Sequence, residues 1–245
     1  MDLAHGADPA LWVRERLGVT PDPWQAEVLR SAASRMLLNC CRQSGKSSTA
    51  AWLALHVAMY RPRSLVLLLS PSLRQSGELF RRVLEAHRGL GDVEPPEAES
   101  ALRIELANGS RVVSLPGSEQ TVRGYSGVNL LICDEASRIE DDLFHSVTPM
   151  LAVSGGRLLA LSTPFGARGW WHDAWMMGGD AWQRVRITAH DCPRIPSAFL
   201  AQERANMPDW HYRQEYLCEF ADAQGQMFSS EMIRQALSDD VKPLF

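Results

Sequence analysis

The chain has 245 residues, 45% of them hydrophobic and 22% charged, with a formal net charge of −4. That length suffices for one large domain, or for a domain with a small appendage. No apolar run reaches membrane-spanning length, the first residues lack a basic-then-apolar leader pattern, and the negative balance excludes a protein coated in basic surface.

In chain order, residues 8–17 and 23–35 read as two short helices, the second opened by Pro23 at a helix start. A strand over 36–41, a tight polar loop and a helix over 47–60 follow. Residues 64–70 form a wholly apolar strand, the mark of a parallel sheet covered on both faces. A helix over 71–90 and an acidic, proline-bearing loop over 91–100 come next. The strands 102–106 and 111–115 are joined through Asn108-Gly109, a hairpin signal. Residues 117–127 are polar and glycine-containing, a loop. Strands over 128–133, 157–161 and 184–187 and helices over 140–151, 198–206 and 209–220 complete the pattern. Strands alternating with helices predict an α/β fold with a mainly parallel sheet. Residues 1–220 are expected to form the main domain, and 221–245 a lid or linker.

Five cysteines include the adjacent Cys40 and Cys41, and an odd count without paired spacing reads as reduced thiols. The seven histidines show no metal-ligand spacing; His190-Asp191-Cys192 is compact but reads as turn chemistry. Trp170, Trp171 and Trp175 read as packing a helix on the sheet. Arg74, Arg81, Arg82 and Arg88 interleave with Glu78 and Glu85, a solvated, salt-bridged face. The only lysines are Lys46 and Lys242.

Lys46 lies in the run Cys41-Arg42-Gln43-Ser44-Gly45-Lys46-Ser47, between a strand and a helix. That arrangement wraps backbone N–H groups around the phosphates of a nucleotide. Lysine neutralises β/γ-phosphate charge, and the Ser47 hydroxyl is placed to ligate Mg²⁺. Residues Arg42 to Ser48 are therefore the expected triphosphate cradle. Cys40 stands where the P-loop consensus has glycine. The apolar strand Leu130-Leu131-Ile132-Cys133 ends in Asp134-Glu135, assigning Asp134 to the metal and Glu135 to activation of the attacking water. Ser162 and Thr163 close the next strand, where hydroxyls can meet the γ-phosphate or simply make a turn before Pro164. In Pro23-Trp24-Gln25, the ring and amide suit either helix packing or recognition of adenine. Arg123, in a loop ahead of the Asp-Glu strand, suits an arginine finger or an ordinary exposed position.

Together these segments, with Val122-Arg123-Gly124 and Glu215-Tyr216-Leu217-Cys218-Glu219-Phe220, resemble the ATPase domain of the large terminase subunit of tailed phages. The resemblance runs from about residue 20 to the end. It implies an additional-strand, RecA-like P-loop ATPase, with the Ser162-Thr163 strand between the Walker A and Walker B strands. It implies ATP and Mg²⁺ as cofactors, with Arg42 adding charge at the γ-phosphate and Arg123 completing a neighbour's site in trans. Implied partners are double-stranded DNA, a portal protein and the small terminase subunit. The implied assembly is a homo-oligomeric ring, with a monomer allowed in isolation and no membrane, in the cytoplasm of an infected bacterial host. The family continues into an RNase H-like nuclease domain where this chain stops at Phe245, so no nuclease activity is expected of these residues. Two other readings stay open: a superfamily 2 helicase-like ATPase, and a non-catalytic module that binds ATP only to assemble.

Overall fold

The computed structural model describes residues 3–117 and 124–220; Arg123 and the expected lid or linker at 221–245 lie outside the described residues. Helices α1 (Leu3–Ala7), α2 (Pro9–Arg16) and α3 (Pro23–Arg30) open the chain. The Asp8 carboxylate accepts from the N–H groups of Ala10 and Leu11, and Pro9 occupies the first helical position, where no N–H is needed. Helix α3 stops at Arg30 rather than at the expected Arg35, because Ser31 turns extended and leads into β1 (Arg35–Cys40).

Helix α4 (Lys46–Tyr60), β2 (Leu65–Ser70) and α5 (Leu73–Gly89) follow as expected. The acidic loop then contributes a short strand that the sequence did not announce, β3 (Ala98–Glu99), paired antiparallel with β4 (Arg103–Glu105). Strand β4 pairs in turn with β5 (Arg111–Pro116), across the Asn108-Gly109 turn where Gly109 has φ +76°. Next come β6 (Leu130–Asp134) and α6 (Asp141–Val147). The expected helix over 140–151 gives way to a 3-10 turn at Thr148–Leu151, since Pro149 has no N–H to continue the α ladder. The chain continues through β7 (Arg157–Ser162), α7 (Gly169–Met177), β8 (Gln183–Ile187), α8 (Ser197–Asn206) and α9 (Asp209–Leu217).

The eight strands form one sheet in the order β3-β4-β5-β2-β6-β7-β1-β8. From β5 to β8 every neighbouring pair is parallel, and the antiparallel β3 and β4 close one edge. Helix α4 leaves β1 and reaches β2 over β7 and β6, so β7 lies between β1 and β6 as the resemblance implied. Helices α2 to α5 cover Met36, Leu38, Val66, Leu68, Ile132, Leu159 and Leu161 on one face. Helices α6 and α7 cover Leu37, Leu67, Leu131, Cys133, Leu158 and Ala160 on the other. Cover on both faces is why these strands read as unbroken apolar runs. The tryptophans of α7 pack as expected: Trp170 stacks on Phe144 with ring centroids 3.7 Å apart and donates its Nε1–H to the Ile139 carbonyl, and Trp171 is fully buried.

Candidate functional site

Parallel strands put their carboxyl ends on one edge of the sheet, and ligands of such sheets bind there. Three adjacent strands, β6, β7 and β1, deliver Asp134-Glu135, Ser162-Thr163 and the loop 41–45 to that edge. The Cys41 N–H bonds the Ile187 carbonyl at 2.9 Å, extending the ladder one residue past β1 before the chain turns. Cys40 is the buried last residue of β1, so the glycine that a P-loop carries there is replaced by strand. Gln43 has φ +62° and Gly45 φ +92°. The positive φ calls for glycine at 45, and a Cβ there would lie 2.9 Å from Gln25 Nε2 and displace that amide. Helix α4 begins at Lys46, and its first N–H groups, with Ser47 and Ser48 half-buried among them, open the positive end of the helix dipole into the cradle.

Lys46 crosses this cradle. Its Nζ donates to Thr163 Oγ1 at 3.2 Å and approaches the Cys41 carbonyl at 3.5 Å, with Glu135 Oε1 at 4.0 Å. Asp134 is buried and, following Ile132 on an alternating strand, faces the α4 side of the sheet. Burial first, and the neighbouring Glu135 carboxylate second, push the Asp134 pKa from 3.8 up to about 6, with Lys46 opposing. A buried carboxylate with so little compensation suits a cation seat, and a carboxylate plus the Ser47 hydroxyl is an oxygen set that fits Mg²⁺. Glu135 adopts φ +50°, a left-handed conformation that costs energy for a non-glycine residue, and its side chain stays only partly covered.

Several expected roles are corrected by the geometry. Ser162 follows Ala160 on the α6–α7 side of β7, and its hydroxyl bonds Ser137 Oγ at 2.7 Å and the Thr163 carbonyl at 2.8 Å. Strand alternation therefore turns Ser162 away from the cradle and leaves Thr163 as the hydroxyl that meets it. Gln25 is buried, with Nε2 donating to Thr49 Oγ1 at 3.0 Å and to the Gly45 carbonyl at 3.4 Å, while Oε1 accepts from the Asp22 N–H. Its amide faces the P-loop rather than an adenine edge. Trp24 is likewise buried, packed in the core beneath α3 rather than presented to a base. Arg42, expected at the γ-phosphate, forms an ion pair with the buried Glu215 of α9. Gln43 is exposed and Ser44 fully buried.

The structure also brings to the site two residues that no motif marked, Ser137 and Arg194, and one assigned to a solvated face, Arg82. Ser137 joins the end of β7 to the turn after Glu135. Arg82 donates to Ser48 Oγ at 3.3 Å and borders a cavity of about 200 Å³ with Val19, Ser48 and Trp52, so it is more than part of a solvated face. Arg194 reaches the P-loop from the turn after β8. None lies in a recognisable motif, and each acts across a long sequence separation. In the compact cluster, Asp191 accepts from the Thr188 N–H and hydroxyl, the turn chemistry expected there.

The protein family described as "Terminase large subunit, T4likevirus-type, N-terminal" matches residues 37–235. The chain belongs to this family. It is 28% identical over 251 residues to the large terminase subunit of Thermus virus P23-45, covering 88% of this chain and 52% of that protein. It is 26% identical to the large terminase subunit of Escherichia phage T5, over 91% of this chain and 53% of that one. The chain thus spans about half the length of the curated terminases it matches. Among solved structures, the fold is similar to the large terminase ATPase domain of Thermus phage P74-26, with a TM-score of 0.77 at 24% identity over 87% of this chain and 99% of that one. It also resembles the HK97 bacteriophage large terminase, with a TM-score of 0.71 at 15% identity over 88% of this chain and 55% of that one.

Proposed function

We propose that this terminase domain hydrolyses ATP to drive double-stranded DNA into a viral procapsid. The observation carrying the reading is the meeting at one sheet edge of Lys46 with Thr163 and Glu135, beside buried Asp134. An electrostatic site of this kind performs phosphoryl transfer by positioning and by placing charge, with little covalent work. The N–H groups of the cradle and Lys46 bind the β- and γ-phosphates. Ser47 and Asp134 would hold Mg²⁺, which screens phosphate charge when bound. Glu135 takes a proton from the attacking water, a role that a partly exposed carboxylate beside Lys46 can fill. Thr163 bonds the same ammonium that meets the phosphate, so loss of the γ-phosphate is felt at the end of β7. Arg42 is held by Glu215 and reaches the γ-phosphate by leaving it.

Support for nucleotide as the ligand also comes from a relative of like fold: the large terminase of a thermophilic bacteriophage was solved in complex with ADP. The partners that accompany the reading are a portal protein, the small terminase subunit and further copies of this chain in a ring, with Arg123 acting on the neighbouring site. The infected bacterial cytoplasm is the setting. The deciding experiment is turnover of ATP by the wild type and Glu135→Gln, with binding measured alongside. Binding kept and hydrolysis lost supports a motor; wild-type protein that binds ATP without turning it over makes the chain an assembly module.

A further inference from the structure

Arg194 lies outside every segment that carries the phosphate chemistry, yet it grips the P-loop from behind. Its Nη2 donates to the Ser44 carbonyl at 2.8 Å, and its Nη1 donates to Asp22 Oδ1 at 2.8 Å. Asp22 is joined through its own N–H to Gln25, whose Nε2 reaches the Gly45 carbonyl and Thr49. The Ser44 carbonyl is therefore held by a side-chain donor on the outer side of the loop, while the Gly45 carbonyl is held by α4 itself, accepting from the Thr49 N–H and hydroxyl at 3.1 Å each, with Gln25 at 3.4 Å. A trans peptide is planar, with its C=O and the following N–H pointing in opposite directions. Holding the Ser44 carbonyl outward thus aims the Gly45 N–H inward, and holding the Gly45 carbonyl aims the Lys46 N–H inward. Among the described residues neither of these N–H groups has a partner within the protein.

We infer that Arg194 is a positioning residue that pre-orients the Gly45 N–H donor toward the phosphates. It acts through the Ser44 peptide, without touching the nucleotide. The placement is built by the fold: the Cys41–Ile187 bond fixes the start of the P-loop to β8, and the turn after β8 returns Arg194 to the other end of the same loop. A guanidinium suits the task because its planar fork serves two acceptors at once, the Asp22 carboxylate and the Ser44 carbonyl. Gly45 fits the same account, since a Cβ there would press against Gln25 Nε2 at 2.9 Å and Arg194 Nη2 at 3.3 Å and push the clamp off. The inference rests on the phosphate-cradle reading above and adds to it the device that sets the cradle in its binding geometry ahead of nucleotide binding.

The test uses the full chain and two probes, ATP and inorganic tripolyphosphate, each titrated calorimetrically with Mg²⁺ into wild type, Arg194→Ala and Arg194→Lys. A lost charge-assisted clamp should weaken both probes by the same factor, about tenfold or more, in Arg194→Ala. Arg194→Lys, which keeps a donor, should recover part of it. In the ligand-free protein the Gly45 amide resonance should shift in the variants while those of β2 stay put, a signature that general destabilisation lacks. Tripolyphosphate affinity equal to wild type overturns the inference, and so does a loss confined to ATP, which would put Arg194 on the base. Should Arg194→Ala fail to fold, Asp22→Asn releases the other end of the clamp and is judged by the same two ratios. Wild-type protein that binds neither probe sinks the cradle reading itself, a result distinct from any effect of the variants.

Discussion

Asp134 and Glu135 are adjacent carboxylates with opposite surroundings, and their substitutions separate binding from chemistry. Glu135→Gln keeps the shape and removes the base, so it should lower ATP turnover by about 10²–10⁴-fold while a fluorescent ATP analogue still binds. Asp134 behaves differently because its pKa is raised by burial to about 6 from 3.8. A carboxyl group that holds its proton more tightly when folded contributes stability fully below pH 3.8, and loses that contribution as pH rises through about 6. Chemical denaturation of the metal-free protein should therefore show Asp134→Asn to be more stable than wild type at pH 8, by roughly 1–3 kcal/mol. The two should converge near pH 4, and Mg²⁺-dependent nucleotide binding should be lost in the variant. The meeting of Lys46, Asp134 and Glu135 at one sheet edge was legible in the sequence because a strand-loop-helix run and an apolar strand ending in acids are both local patterns with fixed residue types. Gln25 was placed on the wrong partner, and the resting partner of Arg42 was missed, because a side chain's direction depends on what the fold brings to it. For Arg42 that is Glu215, which lies far along the chain on a helix whose docking no local spacing records.

Among the elements, α9 is tied to the site at three points. Glu215 pairs with Arg42, Gln214 Oε1 accepts from the Gly166 N–H beyond β7, and the carbonyl of Cys218 accepts from Asn39 Nδ2 of β1 at 2.9 Å. A helix so attached responds to what the P-loop and the end of β7 hold. Glu215→Gln frees Arg42 and should tighten ATP binding several-fold while leaving ADP, which has no γ-phosphate, unchanged; parallel titrations decide it. On the opposite face, Trp171 of α7 is wholly enclosed, and Trp171→Ala should cost about 3–5 kcal/mol in a urea melt. The strands and long helices could be read in advance because both-sided burial imposes continuous apolar runs. Strand β3 and the 3-10 turn at Pro149 could not, since two paired residues leave no period to detect and the proline sets only where the α ladder ends. The hydroxyls at the end of β7 show the same limit: alternation guarantees that Ser162 and Thr163 face opposite ways, but the apolar neighbours do not say which faces the cradle.

At the scale of the whole molecule, the sheet order puts β7 as a wedge between β1, which leads into the loop 41–45, and β6, which ends in the acids. On the proposed reading, a change in phosphate state would reach both neighbours of β7 at once, as coupling hydrolysis to movement requires. Assembly enters through Arg123, which we propose acts on a neighbouring copy. Mixing Arg123→Ala with Glu135→Ala subunits should restore part of the ATPase rate that each lacks alone. Absence of recovery at every mixing ratio, where wild type assembles, removes the in-trans role.

Lys46 is one of only two lysines in the chain, and its ammonium is enclosed between Thr163 and the Cys41 carbonyl. Incorporation of ¹⁵N-lysine would consequently give an amide nuclear magnetic resonance spectrum with two peaks, of which that of Lys46 reports occupancy of the cradle. The state of the phosphate cradle then becomes visible in solution from a single peak, without any label introduced by mutation.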